Sequence, residues 1–171
     1  NTLPHLAPEA RTGHVIAHVI EKVGDDIVKH SGQTSVALSS AFGLDAGPRR
    51  RLQLLRHQQD DGHWCSDMAG ALDIAVLRAK IASVARSAKA YAAGLRCWAV
   101  FCDLMHIKVH VPARERDVQR FHALFRNART YSQYLKHLRF VHRLLDLPVR
   151  WYTDAVKQLE RGTLKLLPVT V

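Results

Sequence analysis

Apolar side chains recur at intervals of three and four along most of this chain, the spacing of amphipathic helices. No stretch alternates apolar and polar residues as a half-buried strand requires. The clearest helix runs from Arg129 to Leu145. At about 100° per residue, Tyr131, Tyr134, Leu135, Leu138, Val141, His142 and Leu145 share one arc, and Arg129, Ser132, Lys136, Arg139 and Arg143 share the opposite one. The cationic arc spans roughly 80° and holds no Asp or Glu. One side suits a core and the other suits an anion.

The same spacing predicts a first helix over Ala7 to His30, with Pro8 in its first turn. Val15, Ile16, Val19, Ile20, Val23, Ile27 and Val28 form its stripe, and Ser31-Gly32 ends it. From Gln33 to Gly47 the pattern fades; Gly47-Pro48 then opens a short basic helix to Gln59, closed by Asp60-Asp61-Gly62. Ser66 caps a helix from Asp67 to about Val84, with Leu72, Ala75, Val76, Ala79 and Val84 turned inward. Ser87 caps the next, whose stripe is Tyr91, Leu95, Trp98, Cys102 and Met105. Pro112 makes a turn, Val118, Phe121, Leu124 and Phe125 mark a short helix, and Thr130 caps the two-faced helix, which Asp146-Leu147-Pro148 stops. A last short helix over Thr153 to Arg161 carries Ala155, Val156 and Leu159 and ends at Gly162. The expectation is an all-α fold: a small helical bundle over residues 85–165, an accessory N-terminal helical region over 1–84, and a tail over 166–171. Trp98 and Leu138, each central in an apolar stripe, should share one core.

Charge separates the two halves. Residues 1–84 carry nine Lys and Arg against nine Asp and Glu, whereas residues 85–171 carry sixteen against six, so the formal excess of +10 belongs to the second half. Clustered cations displace condensed counterions from a phosphate backbone, which points to nucleic acid or an anionic surface. A solvated face is the plain alternative, though such a face normally mixes signs. Few Asn or Gln accompany the stripe, so phosphate contact should outweigh base reading.

Composition narrows the class further. No run of eighteen apolar residues exists, which argues against a spanning helix, and no signal-like tandem opens the chain. Cys65, Cys97 and Cys102 cannot all pair, and Cys97 and Cys102 lie five apart on one predicted helix, pointing apart. Free thiols in a reducing compartment follow. The chain begins with Asn, which reads as a processed product or an excerpt.

Several residues arrange themselves in order: Ser87-Ala88-Lys89-Ala90-Tyr91 with Trp98 and Phe101, then Val118 with Phe121. Ala128-Arg129-Thr130-Tyr131 with Leu135, Leu138 and Arg139 comes next, followed by Val156-Lys157 and Arg161-Gly162. This order resembles the core-binding domain of tyrosine recombinases and phage integrases, particularly their eukaryotic mobile-element relatives, over about residues 85–165. The resemblance implies a four-helix bundle that grips one side of a DNA duplex, mostly by its backbone, while a second domain cuts the strand. It implies that Lys89, Arg96, Arg129, Lys136, Arg139 and Arg143 face DNA, and that Lys157 and Arg161 lie at the exit toward the catalytic domain. Ser132 shares the cationic arc and is counted with them. In that family the tyrosine nucleophile and its cation cluster follow the bundle. Here nine residues follow Gly162, and Tyr91, Tyr131 and Tyr134 fall on apolar faces. The expectation is therefore a non-catalytic, DNA-binding protein, nuclear if that role is kept.

A second reading assigns the same surface to RNA, as a structural subunit of a ribonucleoprotein such as a mitochondrial or other organellar ribosome. Residues 1–84 would then pack on the bundle or on a protein partner. Other chemistry is thin. Cys102, His106 and His110 recur at intervals of four, a zinc-like spacing on a continuous helix, but the segment reads as a fraying end without a second ligand pair, so no metal is assigned. His63-Trp64-Cys65 suggests a Cys–His nucleophile only by adjacency, and a turn with a buried Trp is the simpler reading. Arg49-Arg50-Arg51 would touch phosphate or form a solvated run, and Phe140 would stack on a base or pack against the N-terminal segment. No glycine-rich phosphate loop or cofactor fingerprint is present, and no cofactor is expected.

Overall fold

A computed structural model describes residues 12–30 and 68–167. The expected basic helix over 48–59, Arg49-Arg50-Arg51, His63-Trp64-Cys65 and the cap at Ser66 lie outside the described residues. Within them the chain is helical and without strands, an all-α fold. The helices are α1 (Gly13–Lys29), α2 (Met68–Ala82), α3 (Ala88–Leu104), α4 (Glu115–Phe121), α5 (Ala128–Leu144) and α6 (Asp154–Leu166), with 3-10 turns over Ala85–Ser87 and His122–Leu124.

Helix α1 begins later than the sequence suggests. Thr12 is its N-cap, and the Thr12 hydroxyl accepts the Val15 N–H at 3.4 Å. Its buried line is Gly13, Ile16, Ala17, Ile20 and Gly24, while Val15 and Val28 face solvent. Small residues decide the rotation. A Cβ built on Gly13 would lie 2.7 Å from the Ala99 Cβ, and one on Gly24 would collide with the Ala88 Cβ. Gly13 therefore meets the far end of α3 and Gly24 its start, so the two helices run antiparallel with Ala88, Ala92, Leu95 and Ala99 against α1. Backbones this close gain dispersion contact that larger side chains would prevent.

Helix α2 buries Leu77 and Ile81 rather than the expected stripe; Leu72, Ala75, Val76 and Ala79 are exposed. Ion pairs hold its outer side: Arg78 to Asp26 of α1 at 3.2 Å, and Lys80 to Asp146, beyond the end of α5, at 2.8 Å. Ser87 precedes α3 as expected, but its hydroxyl makes no capping bond.

Both long C-terminal helices end in Schellman motifs. After α3, Ile107 N–H bonds Cys102 O and His106 N–H bonds Asp103 O, with His106 at φ 58°. After α5, Leu147 bonds His142 and Asp146 bonds Arg143 in the same way, with Asp146 at φ 56°. Asn127, not Thr130, caps α5: its side-chain oxygen accepts from Arg129 N–H at 2.9 Å and Thr130 N–H at 3.3 Å. Thr153 caps α6. That helix passes straight through Gly162 to Leu166, held from within by buried Val156 and by buried Thr163, whose hydroxyl donates to Leu159 O at 2.8 Å.

One core unites these elements. Ile16 and Ile20 of α1 and Leu77 and Ile81 of α2 join Leu95, Trp98, Phe121, Leu135, Leu138 and Trp151 in it. Trp98 and Leu138 are each 1% exposed, as their phases predict. Two buried histidines tie the core to its loops. Gly13 N–H, an orphan donor at the start of α1, donates to His110 Nδ1 at 2.9 Å, and the Trp98 indole donates to His110 O at 2.9 Å. His142 Nδ1–H donates to Leu138 O at 2.7 Å. Its Nε2 accepts from both Ala113 N–H at 2.9 Å and the Trp151 indole at 3.1 Å.

Candidate nucleic-acid interface

Helix α5 has the two faces its sequence specifies. Tyr131, Leu135, Leu138, Val141 and His142 are buried, while Arg129, Lys136 and Arg143 are exposed. No acid among the described residues pairs with these three side chains. Ser132 is half-buried beside them.

Arg139 departs from the group. It is half-buried, its guanidinium lies 4.1 Å from the centroid of the Tyr152 ring, and its Nε is buried without a hydrogen-bond partner. Lys157 approaches the same ring at 5.3 Å and lies 3.9 Å from Asp154. The Tyr152 hydroxyl donates to Glu160 at 2.9 Å. Arg139 and Tyr152 thus form the joint between α5 and α6, a cation held on an aromatic face. Burial, then the bond to Glu160, pushes the Tyr152 phenol up from its usual range, opposite to what an activated nucleophile needs. Burial also raises the Tyr131 phenol.

The expected contribution of α3 is corrected. Arg96 pairs with Glu21 of α1 at 2.6 Å, so its charge is matched within the fold, and only Lys89, exposed on the first turn, stays open on that helix. Phe140 is half-buried and meets Tyr91 of α3 in a tilted ring pair, with centroids 4.5 Å apart, and so packs between α3 and α5. On α6 the two expected cations gain a third. Lys157, Arg161 and Lys165 are all exposed at successive intervals of four. Lys165 joins them because the helix continues past Gly162 to Leu166.

The zinc-like spacing dissolves in three dimensions. Helix α3 ends at Leu104, and left-handed His106 turns the chain, so Cys102, His106 and His110 do not share a helical face. Burial, with Asp117 and Asp103 nearby, pushes the Cys102 thiol up to about 12. Among the described residues no group of three or more His, Cys, Asp or Glu is placed to hold a metal ion, and no helix is long and apolar enough to cross a membrane.

What remains is a mainly cationic surface on two adjoining helices, with Asp154 beside Lys157, and its chemistry suits an extended polyanion. No protein family, curated protein or solved structure matches the chain.

Proposed function

We propose that this chain binds nucleic acid, gripping the phosphate backbone of a DNA duplex through the outer faces of α5 and α6, in the manner of the recombinase core-binding domain it resembles. The observation that carries the reading is the cationic face: Arg129, Lys136 and Arg143 on α5, none paired with an acid among the described residues, together with exposed Lys157, Arg161 and Lys165 on α6. Six cations on rigid helices match a ligand whose charge repeats along its length. Their flexible heads suit phosphate oxygens better than base edges, so sequence preference should be weak. The role is binding, with no strand chemistry assigned to these residues.

Titration of a labelled duplex tests this. Changing Arg129, Lys136 and Arg143 together to Glu should abolish binding while leaving helicity intact, since none is buried. Unchanged affinity at moderate salt would remove the face from the function. A structured RNA titrated in parallel tests the ribonucleoprotein reading, which replaces the DNA reading if the RNA is bound and the duplex is not.

A further inference from the structure

A second group of cations lies where α6 meets α4. Helix α6 packs against both α5 and α4. Where it meets α4, an open groove of about 630 Å³ is lined by Arg116, Gln119, Arg120, His122, Ala123 and Leu159. Arg116 and Arg120 are one turn apart, both exposed, and neither pairs with an acid among the described residues.

One acid of α4 is engaged elsewhere. Glu115 accepts from the Thr153 hydroxyl at 2.7 Å and from the Gln119 amide at 3.2 Å, tying α4 to the cap of α6. Asp117 is half-buried and forms no ion pair with either arginine. The groove lining combines Arg116 and Arg120 with apolar Ala123 and Leu159, and the His122 ring is tied back by its Nδ1–H, which donates to Gln119 O at 2.8 Å. Planar guanidinium forks suit phosphate oxygens in pairs.

We infer that the α4–α6 groove is a second phosphate-binding surface, and that a nucleic-acid backbone held on α5 continues across Lys157, Arg161 and Lys165 of α6 into it. This rests on the nucleic-acid reading above and extends it from one helix face to a path over three helices. Helix α6 is the crest of that path. Its outward cations bridge the faces to either side, and Arg116 and Arg120 anchor the far end.

Salt dependence of binding to a random-sequence DNA duplex is the test, with the full chain and its Arg116→Gln, Arg120→Gln double variant. Two lost phosphate contacts lower the slope of log affinity against log salt by about 1.8. Between about 50 and 200 mM salt, the variant's affinity should then fall roughly tenfold less than that of the unaltered chain. Its affinity at low salt should also be weaker, with the far-UV circular dichroism unchanged. An unaltered slope and affinity in this variant, alongside lost binding in the α5 triple variant, would overturn the groove and leave the nucleic-acid reading standing. Loss of binding in neither variant would overturn both.

Discussion

The seam between α1 and α3 and the outer side of α5 and α6 treat charge in opposite ways. Around the seam, charges meet partners from other helices: Arg96 meets Glu21, Arg78 of α2 meets Asp26, and His14 donates to Asp103 at 2.8 Å. On the outer side Arg129, Lys136, Arg143, Arg161 and Lys165 have no such partner among the described residues. Part of the first half's acid thus neutralises the bundle from within, through α1. The charge excess of the second half is left where a ligand can reach it. One region pairs its charges within the fold and the other leaves them exposed.

The largest effect that would break this contrast is on stability. Leu138→Ala, on the inward side of α5, should cost about 2 to 5 kcal/mol in urea unfolding. Lys136→Ala with Arg143→Ala, on the outward side, should change stability by no more than about 0.5 kcal/mol. A comparable loss from the outward pair would mean that this face belongs to the core's support.

A single substitution type sharpens the contrast next. Gly24→Ala places a Cβ against the Ala88 Cβ and should destabilise by about 1 to 3 kcal/mol. Gly162→Ala on α6 meets nothing within 4 Å and should stabilise by about 1 kcal/mol, because glycine inside a helix forfeits backbone entropy. Equal signs at the two sites would refute the close approach of α1 to α3.

Acid should act on the inner region before the outer one. Burial holds His110, His137 and His142 below the ordinary value of 6.5, and the nitrogens of His110 and His142 that would take a proton already accept N–H bonds. With folded values below unfolded ones, the unfolded chain binds more protons as pH falls under about 6.5, so stability present above that point is lost below it. The thermal midpoint should drop between about pH 7.5 and about pH 5.5. A flat midpoint would mean that these rings are not held neutral.

Much of this was legible in the sequence where one element carries the whole signal. The two faces of α5 follow from the order of residues 129–145 alone, and the inward phases of Trp98 and Leu138 likewise. Legibility failed where the deciding partner is remote. Arg96 reads as a free cation because Glu21, its partner, lies far back in the chain. The stripe of α1 reads correctly at Ile16, Ile20, Val19, Val23 and Ile27, which face the core, but not at Val15 and Val28, and only contact with Ala88 and Ala99 brings in the line of Gly13, Ala17 and Gly24. Local ambiguity explains the rest: Asn127 and Thr130 both offer capping oxygens, and Gly162 looks like a terminator until Thr163 is seen buried beyond it.

His142 carries a kinetic consequence. One ring gathers N–H groups from Ala113 and Trp151 while donating to its own helix, so the segment leaving α5 for α6 is pinned at its root. The cations on the two helices are then spaced before any ligand arrives, and little ordering entropy is lost on contact. Under the proposed nucleic-acid reading, encounter would be a meeting of preformed shapes, its speed set by long-range attraction and slowed as ionic strength rises.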